Sequence, residues 1–136
     1  MINRFGTNKA VVILLWFGDK LLLTQRRNVP YFKGYWAAVG GSVEPTDTTL
    51  ARAASRELKE ETDIFVRDIE LEIVDCFQEN DFKCFIFQTI LSPYRLTEVK
   101  NTEPKKHSPW KLFNVHEALK LKPLMPALQE YLLKIA

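Results

Sequence analysis

From Lys9 to Phe17 the chain reads KAVVILLWF, an almost unbroken apolar run of strand length. Such a run predicts a central strand buried on both faces. Gly18-Asp19 is a two-residue turn signal, and Lys20 to Gln25 returns as a second strand. Asn28 to Gly34, carrying Pro30, Tyr31 and Phe32, reads as a loop, and Tyr35 to Val39 as a short strand that delivers Gly40. Leu50, Ala54 and Leu58 then recur at helical spacing, which predicts a helix with one apolar edge. Arg67 to Gln78 reads as a strand, with Ile69, Leu71, Ile73 and Cys76 as its apolar positions. Glu79-Asn80-Asp81 is a turn, and Phe82 to Leu91, rich in β-branched and aromatic residues, is the antiparallel partner. A hairpin centred on Asn80 would set Cys76 opposite Cys84. Ser92 to Ser108 is a long polar loop, Pro109 to Phe113 a last short strand, and Val115 to Lys120 a short helix. Leu124, Leu128, Tyr131, Leu132 and Ile135 predict an amphipathic helix from Pro123 to Ile135, with Pro123 in its first turn.

Composition narrows the class. The 136 residues, 46% hydrophobic and 26% charged, suit one globular domain over 1–136. A net charge of +2 is nearly neutral, so bulk electrostatics does not argue for nucleic acid or a membrane surface; nucleic acid is an unexpected partner and no membrane is expected. No apolar run reaches the roughly 20 residues that span a bilayer. Lys9 interrupts the N-terminal stretch and no small-residue cleavage site follows, so no signal peptide is expected. Two cysteines make no disulfide framework, and a cytoplasmic setting is the default. No internal repeat or low-complexity segment interrupts this organisation.

The chemistry concentrates in Arg56-Glu57-Leu58-Lys59-Glu60-Glu61. On a helix, Glu57, Glu60 and Glu61 fall within an arc of roughly 100°. Like charges at i,i+4 destabilise a helix by a few tenths of a kcal/mol, and a hard divalent cation such as Mg²⁺ or Mn²⁺ would remove that conflict. Taken alone, the hexapeptide fits a solvated face at least as well. Its run-up changes the balance. Gly40-Gly41 allows close backbone approach and φ > 0, and Asp47, Thr48 and Thr49 are N-cap candidates before Leu50. Arg26-Arg27, at the end of the second strand, offers guanidinium forks for phosphate oxygens, or two surface arginines.

This stretch resembles the Nudix box. The family pattern is Gly, five residues, Glu, seven residues, then Arg-Glu-(apolar)-x-Glu-Glu-x-Gly-(apolar). Gly41 opens it, Arg56 to Glu61 is complete, and Ile64 closes it. Two positions depart from the pattern. Asp63 replaces the last glycine, and Asp tolerates a left-handed helix end. Asp47 stands where the first Glu belongs, but eight residues rather than seven separate it from Arg56. The loop or first turn therefore carries one extra residue. Glu103-Pro104-Lys105-Lys106, closed by Trp110, further resembles a segment of the MutT-like nucleoside triphosphate pyrophosphatases.

The resemblance implies an α+β Nudix fold, a mixed β-sheet sandwiched between α-helices. It implies Mg²⁺-dependent hydrolysis of a nucleoside diphosphate linked to a group X. Glu57, Glu60 and Glu61, with the Gly40 carbonyl, would hold the metal. Arg56 would orient these carboxylates, and one of the glutamates or Glu103 would take a proton from water. Arg26 or Arg27 would grip phosphate, and an aromatic among Tyr31, Phe32 and Trp36 would stack on the base, although such residues more often pack. His107 is the alternative to Glu103, against the commoner surface or packing role of a lone histidine. The expected substrate is a ribo- or deoxynucleoside triphosphate, going to monophosphate and pyrophosphate. Dinucleoside polyphosphates, ADP-ribose and RNA 5′ ends are the alternatives. A non-catalytic nucleotide-binding module is the reading from another class, although the retained box carboxylates speak against it. Family members often form homodimers.

Overall fold

The computed structural model describes residues 8–136. The expectation about a leader segment falls on the first seven residues and lies outside the described ones. Seven strands form one mixed sheet. They are β1 (Lys9–Phe17), β2 (Lys20–Gln25), β3 (Trp36–Ala37), β4 (Val39–Ser42), β5 (Glu72–Glu79), β6 (Phe82–Leu91) and β7 (Lys111–Phe113). The helices are α1 (Leu50–Thr62), α2 (Val115–Leu119) and α3 (Pro126–Ile135).

β1 is the centre of the sheet, as its apolar run predicts. It runs parallel to β6 along its whole length, with Lys9 opposite Lys83 and Phe17 opposite Leu91. Its first half pairs antiparallel with β4 and its end pairs with β2 across the Gly18-Asp19 turn. Because side chains alternate along a strand, β1 feeds two cores. Val11, Ile13, Leu15 and Phe17 pack on the α1 side with Ala53, Ala54 and Leu58. Ala10, Leu14 and Trp16 pack on the opposite side with Leu128, Tyr131 and Leu132 of α3. The sheet is thus covered by helices on both faces, as in other α+β layers.

Several boundaries differ from expectation. The stretch Tyr35–Val39 is not one strand. It breaks at Ala38, because β3 pairs with β2 while β4 pairs with β1, and the two glycines lie inside β4. The strand predicted from Arg67 begins only at Glu72, since Asp68–Glu70 forms a 3-10 turn. A bulge between Ile73 and Asp75 then reverses the alternation. Ile69 and Ile73 are exposed, and Val74 and Phe77 pack on the core instead. The hairpin turns on two residues, Asn80-Asp81, so Cys84 faces Phe77 and Cys76 faces Phe85. No disulfide joins the two cysteines.

The polar loop after β6 contains a 3-10 turn, Pro93–Glu98, and β7 is shorter than the strand predicted from Pro109. The last helix starts at Pro126, not Pro123. Residues 123–125 instead run beside Trp36. The Trp36 N–H donates to the Pro123 carbonyl (2.8 Å) and the Met125 N–H to the Trp36 carbonyl (3.0 Å).

Candidate active site

α1 sets the frame. Thr49, the last of the three cap candidates, accepts a hydrogen bond from the Arg52 N–H at 3.1 Å, leaving Asp47 free for another task. Asp63 ends the helix in the left-handed region, φ 64°, as its place in the box predicts. The buried edge of Ala54 and Leu58 pins α1 against β1 and β4. The acidic edge therefore lies over the two glycines.

Those glycines answer to space, not to φ. Neither has a positive φ among the described residues, contrary to that part of the expectation. A Cβ on Gly40 would stand 2.7 Å from the Val11 carbonyl oxygen. A Cβ on Gly41 would overlap the Glu57 carboxylate itself. Close approach is what requires glycine here.

Arg56 organises the acids. Its Nε and Nη2 grip Asp47 Oδ1 and Oδ2 at 3.0 and 2.8 Å, a bidentate fork. Nη2 also donates to the Ser42 carbonyl at 2.9 Å. Nη1 donates to Glu57 Oε1 at 3.0 Å and to Glu60 Oε2 at 3.2 Å. Asp47, with the extra residue beside it, thus anchors Arg56. The Arg56 hydrogen bond holds the Asp47 carboxyl below the usual range, and Asp47 in turn raises the Arg56 pKa.

The three glutamates are not equivalent. Glu57 and Glu61 share a hydrogen bond between their carboxyl groups, while Glu60 is exposed and turned toward Arg56. Glu61 is only 6% exposed. Burial pushes the pKa of both members of the pair up. The negative charge of Glu57 raises Glu61 further, whereas Arg56 favours the ionised form of Glu57. Among the described residues no three His, Cys, Asp or Glu side chains form a ready cluster for a metal ion. The donor chemistry still fits a hard divalent cation. Two carboxylates are forced together out of water at a cost that a positive charge would offset. Glu57 and Glu61 would hold such an ion, with Glu60 reaching it after leaving Arg56.

Glu61, of the pair, borders a narrow cleft walled by Val12, Thr24, Arg26, Gly40, Cys84, His107, Met125 and Leu128. Its closed volume, about 40 Å³, takes a few waters. A larger ligand needs the walls to open, and Met125 is the most flexible apolar side chain among them. Arg26 donates through Nε and Nη2 to the Tyr31 carbonyl at 3.2 and 3.0 Å. Burial lowers the Arg26 pKa and the Glu61 charge opposes that.

Arg27 is exposed and lies outside the cleft wall. Its backbone N–H donates to Lys106 at 2.6 Å. Phe32 stacks edge-on to Tyr35 at 4.9 Å within its loop, and Trp36 packs edge-on to Phe113 at 5.5 Å. Neither lines the cleft. Glu103 is half-buried, 3.3 Å from Lys106 Nζ, and its charge reaches both Glu61 and His107. The Glu103 loop is tied to α1 by the Thr102 hydroxyl, which donates to the Glu60 carbonyl at 2.5 Å.

His107, the second choice in the sequence, is buried in the cleft wall. Burial lowers its pKa, with Glu103 opposing and Arg26 and Lys106 adding to the fall. It faces Arg26 through an antiparallel bridge, with 80 positions between them closed by the sheet. No local pattern shows such a pairing; the Glu103 segment was its one signal.

Comparison with known proteins follows this geometry. Residues 6–134 match the NUDIX domain family. The chain is 34% identical over 96 residues to the dihydroneopterin triphosphate diphosphatase of Escherichia coli strain K12, covering 69% of this chain and 60% of that protein. It therefore spans 60% of the length of that curated relative. The Haemophilus influenzae protein of the same name is 27% identical over 135 residues, covering 97% of this chain and 75% of that one. A MutT NUDIX hydrolase from Burkholderia pseudomallei superposes with a TM-score of 0.77 at 20% identity, covering 94% of this chain and 97% of the other. With a mixed sheet between helices, an acidic α1 over a double glycine and a domain match along nearly its whole length, the chain belongs to the Nudix family.

Proposed function

We propose that the chain, acting as a single domain, is a divalent-metal-dependent pyrophosphohydrolase that cleaves a triphosphate to monophosphate and pyrophosphate. The reading rests on the Glu57–Glu61 pair, whose Glu61 is buried at the border of a cleft that also holds Arg26. The triphosphate class draws support from the relatives named for dihydroneopterin triphosphate. A nucleoside triphosphate is the expected substrate, and the pterin triphosphate is its close competitor.

The chain's residues divide the work. Glu57 and Glu61, joined by Glu60, hold Mg²⁺ or Mn²⁺, which supplies charge neutralisation and acidifies water when bound. Arg26 carries donors to the phosphate oxygens. Arg56, fixed by Asp47, favours the charged form of Glu57 and holds it in place. Glu103, outside both the pair and the Arg56 cluster, accepts the proton as water adds to phosphorus and the P–O bond to pyrophosphate breaks. Binding and release involve no nucleic acid in this reading. No helix among the described residues is long and apolar enough to cross a membrane.

The test is product analysis with Mg²⁺ and a panel of nucleoside triphosphates, dihydroneopterin triphosphate, ADP-ribose and diadenosine tetraphosphate, run in ¹⁸O-water. The expected result is monophosphate and pyrophosphate in equal amounts from a triphosphate, lost in Glu61→Gln. Turnover of ADP-ribose or the dinucleotide alone would keep the reaction class and remove the triphosphate. Binding without turnover of any compound would overturn the enzyme reading in favour of a nucleotide-binding module.

A further inference from the structure

We infer that His107 is a substrate-contacting residue, its Nδ1–H donating to a phosphate oxygen held in the cleft beside Arg26. This deepens the proposed function and rests on its triphosphate reading. His107 is 8% exposed, and among the described residues its Nδ1 has no hydrogen-bond partner. Buried polar groups are nearly always paired, so an orphan in a cleft wall calls for a partner that the protein does not supply.

The main chain that carries the ring is anchored on both sides. The His107 backbone N–H donates to the Glu103 carbonyl at 3.1 Å, and the His107 backbone carbonyl accepts from Asn101 Nδ2 at 3.0 Å. The neighbouring Ser108 N–H donates to the Gln25 carbonyl at 2.9 Å, and the imidazole leans on Trp110 at 6.0 Å between ring centres. Backbone bonds on both sides thus hold this position in the cleft wall, and the sequence places an imidazole there.

The surroundings select the ligand chemistry. Across the antiparallel bridge stands Arg26, which spends two N–H groups on one acceptor, the Tyr31 carbonyl. A guanidinium and an imidazole with an unpaired Nδ1 line the same cleft, and a proton on Nδ1 would make both donors. An anionic oxygen accepts from both, and charge-assisted bonds of this kind are the stronger ones. A ligand N–H would satisfy an imidazole lone pair but meet the arginine charge, and a neutral hydroxyl would make the weaker, uncharged bonds. Phosphate satisfies both groups together.

The protein has two histidines, and His116 is exposed, so it serves as an internal control. Ring-¹⁵N-labelled wild-type protein is titrated with inorganic tripolyphosphate in Mg²⁺ buffer. A proton on Nδ1 of His107 and a saturable shift of that resonance, with His116 still, is the expected result. A proton on Nε2 alone, or no shift at saturation, overturns the contact. Kinetics give the second arm. His107→Ala raises KM for the best triphosphate about 10-fold or more while kcat falls far less, the loss expected for one charge-assisted bond. His107→Asn, whose amide N–H₂ falls near the Nδ1 position, restores most of the affinity, and His107→Gln does not. Equal behaviour of Asn and Ala overturns the inference, as does lost base discrimination with unchanged tripolyphosphate affinity. Absence of wild-type turnover on every triphosphate sinks the proposed function instead, and the titration still reads His107 by itself.

Discussion

Arg56 is the residue through which the box holds its shape. Its fork is committed to Asp47, and only its Nη1 is left for Glu57 and Glu60. The Asp47 side chain is 6% exposed, so this is not a surface pair of negligible worth. Asp47→Asn should cost about 2 kcal/mol near pH 7, the scale of a hydrogen-bonded charge. The pH dependence has a defined sign. The folded Asp47 pKa lies below its ordinary value. Its contribution is therefore complete above about pH 4 and fades as pH falls through the lower folded value. Urea unfolding at pH 7 and at pH 3 should show the gap between wild type and variant narrowing at pH 3. A gap that stays constant would mean that Asp47 acts through packing alone. The same variant should slow turnover, because Arg56 would no longer fix Glu57.

Between elements, the critical fit is α1 over β4, and the two glycines divide it. Gly41→Ala places a methyl group against the tip of the Glu57 side chain. A flexible tip yields, so stability should change by less than about 1 kcal/mol, while activity falls 100-fold or more as Glu57 leaves its place. Gly40→Ala meets the Val11 carbonyl, rigid backbone of the central strand, and should cost about 1–3 kcal/mol. Thermal melts beside initial rates decide this, and a Gly41→Ala enzyme with normal rates would refute the close-approach account. The elements also show what the sequence could reveal. β1, β2, β6 and α1 were legible because length, turn residues and cap residues agreed locally. β4 was not, because a change of pairing partner at Ala38 leaves no mark on periodicity. The β5 alternation failed at the bulge for the same reason. The start of α3 failed because the backbone of residues 123–125 is spent on Trp36.

In the whole molecule, the site joins parts that share no local pattern. The carboxylate pair was legible because it sits on one helix face. The opposition of Arg26 and His107 was not, because the sheet creates it. What the assembled site costs the fold can be measured. Glu57 and Glu61 both have pKa values raised by burial, so the folded state holds protons more tightly than the unfolded one. Stability of the metal-free protein should then fall as pH rises from about 4.3, the ordinary Glu value, through the raised folded values. Glu61→Gln keeps an N–H donor for Glu57 and removes one charge. At pH 8 in EDTA it should be more stable than wild type, by on the order of 2 kcal/mol, as when buried ionic groups are replaced. Mg²⁺ should reverse that order, since an ion at 100 times its dissociation constant adds about 2.7 kcal/mol to a protein that binds it only when folded. Melting curves of both proteins, with EDTA and with Mg²⁺, test the two halves together. A variant less stable than wild type in EDTA would show that the pair stabilises the fold. An equal Mg²⁺ response would place the ion elsewhere. Crossing curves would mean that the fold gives up stability at Glu61 to keep a cation site, which is the physical reason for two carboxylates to touch inside a protein.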